Sequence, residues 1–186
     1  MPMDRVLNPT VTPDEIAADT KWLAAQLVKR LGKTFTVVVV LKAAWMFAAD
    51  LMRNLPPSVT VEFVSVSTYG ASNAPERAAT ISMSSLGLGC VKGRDVVVVD
   101  TVFDSGATMR EVMAHARAAG ASSVTSCVLI WKFSGPPAGG YTGETPLRPD
   151  LFGRTRPAGS FLVGYGLDDK GESRGLPRIC TLTETA

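Results

Sequence analysis

The sequence predicts an α/β fold, a mainly parallel central sheet flanked by helices, with a small C-terminal accessory lobe. Thr34 to Val40 (TFTVVVV), Asp95 to Asp100 (DVVVVD) and Ser122 to Trp131 (SSVTSCVLIW) are near-continuous apolar runs, the pattern of strands covered on both faces. Segments of helical period lie between them, so strand and helix alternate. Right-handed crossovers would then stack helices on both sides of one sheet. After Trp131 the texture changes to SGPPAGGYTGETPLRP, rich in glycine and proline, and no strong helical pattern follows.

The first helix has a start signal and a stop signal. Thr12 can cap it, Pro13 suits the first helical position and Glu15 completes a capping box. Ile16, Leu23, Leu27 and Leu31 line one face before Gly32 ends it. The strand Thr34 to Val40 leads into a helix from about Ala43 to Arg53, which Asn54, Pro56 and Pro57 stop. Val59 to Thr68 alternates as a strand and enters YGASNAPERAATISM, a polar segment expected to be mobile or hairpin-like. After the strand Asp95 to Asp100, a helix from about Thr108 presents Met109, Val112, Met113 and Ala116 and closes at Gly120. Short strand candidates follow Trp131 at Asp150 to Phe152 and Ser160 to Val163. No internal repeat divides the chain, so residues 1–186 are expected to form a single domain with a core at about 12–132 and an accessory lobe at about 133–186.

Composition removes several function classes. The 186 residues are 46% apolar and 19% charged, with 17 Gly and 12 Pro, which excludes disorder and fibrous repeats. A chain of this length buries roughly 70% of its unfolded surface. A net charge of +2 is too weak a field to argue for nucleic acid or membrane as partner. Cys90, Cys127 and Cys180 are scattered and accompanied only by His115, so neither a zinc site nor a disulfide framework can be assembled. A reducing compartment follows. The start MPMDRVLNPT lacks a basic segment followed by an apolar one, so the expected location is the cytoplasm. Phe35 to Met52 is apolar, but Lys42 and Asp50 interrupt it, and it reads as a buried strand running into a helix. Trp22, Trp45 and Trp131 are expected in the core or at an interface.

The most informative stretch is VVVVDTVFDSGAT, Val96 to Thr108. A buried strand delivers Asp100 and Asp104 where ligands of open parallel sheets bind, outside the carboxyl ends of the strands. Asp104-Ser105-Gly106-Ala107-Thr108 then offers consecutive backbone N–H groups, two hydroxyls and the positive end of a helix dipole, which suit a phosphate. The same residues also read as an acidic turn in which Ser105 or Thr108 caps the helix. Spacing alone leaves both readings open.

The motif resembles the phosphoribosyl-diphosphate (PRPP) binding motif of type I phosphoribosyltransferases, and three further segments in order resemble the hypoxanthine-guanine phosphoribosyltransferases. Leu41 to Leu51 (LKAAWMFAADL) is similar to that family's pyrophosphate-contacting Leu-Lys-Gly segment. Ser67 to Gly70 (STYG) resembles the opening of its closing loop, and Phe161 to Pro177 (FLVGYGLDDKGESRGLP) resembles its C-terminal signature. The resemblance runs from about Val37 to Cys180. Four ordered matches carry far more weight than one short motif.

What the resemblance implies can be placed residue by residue. Asp104 would face purine N7 and take up or share the proton as the glycosidic bond forms, and an exposed carboxylate is ordinarily ionised at neutral pH. Ser105, Gly106, Ala107 and Thr108 would hold the 5′-phosphate, and Asp100 and Thr101 the ribose hydroxyls. Lys42, Ala43 and Arg174 would meet pyrophosphate. Mg²⁺ would be the cofactor, held by Asp168 and Asp100 together with substrate phosphates. Lys132 would donate to the purine O6, Phe161 would stack on the base, and the Leu162 backbone and the carbonyl near Asp168 would meet the edge bearing the 2-position. Ser67, Thr68 and Tyr69 would open the closing loop. A homodimer or homotetramer is implied.

Two positions depart from the family pattern. Thr101 stands where a second acid is usual, and Ala43 stands where glycine is usual, beside a peptide, Leu41–Lys42, that would be cis. These departures lower the expected rate rather than alter the fold. The activity expected is transfer of the phosphoribosyl group of PRPP onto N9 of a 6-oxopurine, hypoxanthine or guanine. A nucleotide-binding regulator with weakened catalysis is the alternative, and a pyrimidine phosphoribosyltransferase a third reading.

Overall fold

The computed structural model describes residues 4–69, 80–84, 88–133 and 148–185. Strand β1 spans Asp4–Val11 and helix α1 Pro13–Leu31; β2 is Thr36–Leu41, α2 Trp45–Arg53 and β3 Thr60–Tyr69. Strand β4 is Thr80–Ser84, α3 the short turn Leu88–Val91, β5 Asp95–Phe103 and α4 Ala107–Ala118. Strands β6 (Ser123–Lys132), β7 (Leu151–Arg156), β8 (Leu162–Val163) and β9 (Ile179–Thr185) complete the described elements. None of the described helices is long and apolar enough to cross a membrane.

Helix α1 begins as its sequence dictates. The Thr12 side chain accepts from the Glu15 backbone N–H while Glu15 reaches back to the Thr12 backbone, and Gly32 ends the helix with its N–H on the Val28 carbonyl. Ile16, Leu23, Ala24 and Leu27 form its buried face.

The main sheet has the order β4-β3-β2-β5-β6-β7, parallel throughout except for the antiparallel edge strand β4. Side chains alternate across it. Val37, Val39, Val97, Val99 and Leu129 pack toward α1 and α2, whereas Val38, Val40, Val96, Val98 and Val128 pack toward α4. Each fully buried valine contributes about 1.5–3 kcal/mol of transfer free energy, so a strand apolar on both faces is committed to the sheet centre. From β2 the chain moves outward to β3, but from β5 it moves the other way to β6. The order therefore reverses between β2 and β5, and a crevice opens at their carboxyl ends.

A second sheet, β1-β9-β8, differs from the accessory lobe as expected from the sequence. It recruits β1 from the N-terminus, antiparallel to β9 from Asp4 to Val11, so residues outside the 133–186 boundary build it. Conversely β7 pairs with β6 in the main sheet. Arg154 on β7 binds Glu15 at 2.7 Å and Asp19 at 2.5 Å on α1, which fixes this edge strand to the helix layer. Strand β4 returns antiparallel along β3, with Thr80 opposite Tyr69, while most of the segment expected to be mobile or hairpin-like falls on residues that are not described. Residues 70–79 lie outside those described.

Trp22 and Trp45 are about half exposed and so do not belong to the core; they lie on the outward faces of α1 and α2. His115 is on the exposed side of α4, with Nδ1 3.0 Å from the Glu111 carbonyl. All three cysteines are free, and burial pushes the Cys127 thiol up to about 12.

Candidate active site

The loop from β5 into α4 is built for close approach to its backbone. Gly106 is the helix N-cap at φ 76°, in the left-handed region, and a Cβ there would lie 2.5 Å from the Phe103 ring, so only glycine fits. No side chain caps α4. Ser105 Oγ accepts from the Ala107 N–H at a long 3.4 Å. That long contact is the only side-chain bond the described residues give to the first turn of α4, and the loop and helix start line a cavity of about 90 Å³. Asp100, Asp104, Ser105, Gly106, Ala107 and Thr108 all line it.

A second cavity of about 290 Å³ spans the switch point between β2 and β5. From β2 come Lys42 and Ala43, following a cis Leu41–Lys42 peptide; from β5 and α4 come Asp100 and Thr108. Asp168 and Arg174, from the segment joining β8 to β9, close it from above. Residues distant in sequence are brought to one place here. Arg174 Nη2 lies 2.6 Å from Asp168 Oδ1, and its Nη1 donates to the Gly166 carbonyl at 2.6 Å. Asp168 Oδ2 accepts from the Gly171 N–H at 2.7 Å.

Asp100 is largely withdrawn from water. Burial pushes its carboxyl up to about 7, opposed by the N–H groups of Thr101 and Val102, the former 2.7 Å from Oδ1. Thr101 is fully buried, and its Oγ1 donates to the Ala43 carbonyl at 3.0 Å instead of opening into the cavity.

At the outer end, Lys132 closes β6 and Asp104 follows β5, and their side chains meet at 2.9 Å. The lysine is 13% exposed and the carboxylate 62%, so the pair presents its acidic partner to solvent. Phe161 is half exposed, contrary to a core aromatic, and Leu162 is held in β8 against Thr181 of β9. Ser67, Thr68 and Tyr69 form the end of β3, with Ser67 opposite Ser82 of β4.

Two features went unread in the sequence. Gly164, Tyr165 and Gly166 all have positive φ, at 91°, 50° and 94°, and a Cβ on Gly166 would lie 2.2 Å from the Ala43 carbonyl oxygen. Two glycines within six residues were the available signal. Tyr165 Oη donates to Asp50 Oδ2 at 2.6 Å, anchoring the same turn to α2, a partnership that no local pattern announces. A larger cavity, about 510 Å³, lies between α1, α2 and Tyr165 and contains none of the expected site residues.

Among the described residues no three His, Cys, Asp or Glu side chains converge to form a metal cage. Mg²⁺ does not need one, because it binds through one or two carboxylates with substrate phosphates and water. Asp100 and Asp168, hard oxygen donors lining one cavity, fit that requirement.

Comparison with known proteins agrees with this architecture. The phosphoribosyl transferase domain family matches residues 12–170. A hypoxanthine-guanine phosphoribosyltransferase of Bacillus subtilis is 32% identical over 92% of this chain and 91% of its own length. That of Dictyostelium discoideum is 30% identical over 93% of each. The crystal structure of a hypoxanthine-guanine phosphoribosyltransferase from Bacillus anthracis superposes with a TM-score of 0.77 at 26% identity, covering 97% of this chain and all of that one. With a parallel sheet that switches direction at an uncapped helix N-terminus, and relatives matched over nearly the whole length, the chain belongs to the phosphoribosyltransferase family, among the hypoxanthine-guanine phosphoribosyltransferases.

Proposed function

We propose that this purine-salvage transferase moves the phosphoribosyl group of PRPP onto N9 of a 6-oxopurine, hypoxanthine or guanine, and releases pyrophosphate. The observation that carries the assignment is the Lys132–Asp104 pair beside the uncapped start of α4. A donor and an acceptor side by side at the mouth of the loop support a base that offers O6 and N7–H.

In this reading the N–H groups of Ser105 to Thr108 hold the 5′-phosphate and Asp100 holds the ribose hydroxyls. Lys42 Nζ, the backbone at Ala43 and the planar fork of Arg174 bind pyrophosphate. As the C1′–O bond to pyrophosphate breaks and the N9–C1′ bond forms, positive charge grows on the sugar and then on the base. Asp104 stabilises that charge and accepts the proton at N7, while Lys132 Nζ donates to O6 and Phe161 covers the ring face. Mg²⁺, held by Asp100 and Asp168, supplies charge neutralisation to the phosphates when bound. Ser67, Thr68 and Tyr69, at the end of β3, correspond to the opening of the closing loop that the family resemblance implies, a device that would exclude water. The three free cysteines support a cytoplasmic setting, and the exposed Trp22 and Trp45 support a homodimer or homotetramer.

One observation favours a weakly catalytic nucleotide-binding regulator: Thr101 turns away from the cavity and leaves Asp100 as the single acid on β5 facing it. The same experiment separates the readings. Protein, PRPP and Mg²⁺ are mixed with each purine base and each pyrimidine base in turn, and the nucleoside monophosphate is quantified. Product from hypoxanthine or guanine is expected; tight nucleotide binding without product would favour the regulator, and product from a pyrimidine alone would overturn both.

A further inference from the structure

Thr101 is an unusual residue for its place. It lies inside β5, next to Asp100, fully buried, and its hydroxyl has one recorded partner, the Ala43 carbonyl at 3.0 Å. That carbonyl belongs to the turn after β2 that also carries Lys42. On its other side stands Gly166, approaching so closely that a Cβ would sit 2.2 Å from the same oxygen. Gly166 is in turn clasped by Arg174, whose backbone carbonyl accepts from the Gly166 N–H at 2.9 Å and whose guanidinium donates to the Gly166 carbonyl at 2.6 Å. The guanidinium also holds Asp168. The Ala43 carbonyl is thus an atom at which β5, the β2 turn and the β8–β9 segment meet.

A donor is required at position 101 for this contact. Carbonyl oxygen accepts only, so an ionised carboxylate there would set acceptor against acceptor, whereas a hydroxyl satisfies a buried group that would otherwise lack a partner. The hydroxyl hydrogen is committed to the turn, and full burial of Thr101 keeps its remaining lone pairs away from the cavity.

We propose that Thr101 is a positioning residue: by donating to the Ala43 carbonyl it holds the Lys42–Ala43 turn in register with Asp100 and Arg174, and so sets the affinity for the diphosphate group of the substrate. This rests on the transferase reading above. Its signature is a split between substrates, because the turn lines the diphosphate cavity and not the Lys132–Asp104 end.

The test compares Thr101→Val, which keeps the shape and deletes the donor, with Thr101→Ser, which keeps the donor, and Thr101→Asp, which restores an acid. Loss of one buried hydrogen bond predicts about a tenfold rise in KM for PRPP in Thr101→Val, with KM for the purine base within twofold. Thr101→Ser should recover most of the difference, and Thr101→Asp should be worse than Thr101→Val. A Thr101→Asp variant that binds PRPP more tightly than the parent would overturn the proposal in favour of a ribose contact. So would equal increases in both KM values for Thr101→Val. Calorimetric titration of pyrophosphate with Mg²⁺ reads the same tenfold weakening without turnover. Should the parent chain make no nucleotide, that would count against the transferase reading alone, and the titration would still decide the role of Thr101.

Discussion

The proposed phosphate cradle and the proposed diphosphate clamp occupy the same edge of the sheet but are made differently. The cradle is one continuous stretch, Asp100 to Thr108, whose shape follows from a strand end, one left-handed glycine and a helix start. The clamp draws Lys42 and Ala43 from the first quarter of the chain and Asp168 and Arg174 from its last, joined only through tertiary contacts. A site assembled locally can be read and broken locally. One assembled across the fold is affected through residues that never touch substrate, as proposed for Thr101.

Four substitutions sharpen that contrast. Asp104→Asn, at the outer rim of the cradle, should have the largest effect: about 10²- to 10³-fold lower kcat, with nucleotide affinity much less changed. Steady-state kinetics beside equilibrium nucleotide binding decide it, and equal losses in both would count against proton acceptance by Asp104. Gly106→Ala should come next. Its Cβ meets the Phe103 ring and its backbone is left-handed, so about 1–3 kcal/mol of stability should be lost in thermal unfolding, together with a higher KM for PRPP. If the melting temperature stayed at the parent value, the cradle would be less rigid than its geometry implies.

Arg174→Lys keeps the charge of the clamp but loses the planar fork that grips Gly166 and Asp168 together. Pyrophosphate binding should weaken roughly tenfold, with purine binding almost untouched, measured by product inhibition in each direction. The smallest effect belongs to Glu15→Gln, far from the site, where a local capping box and a long-range contact share one carboxylate. The Thr12 backbone N–H, followed by the Arg154 guanidinium and the Thr12 hydroxyl, holds the Glu15 carboxyl down at about 2 from an ordinary 4.5. Its folded value is depressed, so the stability it contributes is present above about 4.5 and disappears as pH falls through 2. Melting curves of parent and variant should differ at neutral pH and converge toward pH 2; a constant gap would assign the effect to packing.

Much of the fold was written in local pattern. The α1 capping box, the apolar runs of β2, β5 and β6 and the face of α4 all stand where periodicity placed them, because each is set by neighbours within a few residues or by burial on both faces. The missed elements share a different property. β1 reads DRVLNPTV, with a proline and no alternation, and it becomes a strand through its pairing with β9 at the other end of the chain. β7 was not missed as a strand, since Asp150 to Phe152 marked its start, but its partly buried side chains gave no sign of which sheet it would join.

The same division holds for chemistry. The order of residues alone determined the alternating strands and helices and the glycine-bearing loop before α4, and through resemblance it raised the expectation that Asp104, Lys132 and Arg174 serve the site. Only the folded chain decided that Lys132 and Asp104 meet, that Asp168 and Arg174 close over the β2–β5 crevice, and that Thr101 turns its hydroxyl inward to Ala43. The physical reason is range. Helix starts, turns and apolar periods depend on backbone geometry over three or four residues, whereas the direction of a buried hydroxyl depends on which distant carbonyl the fold leaves without a partner.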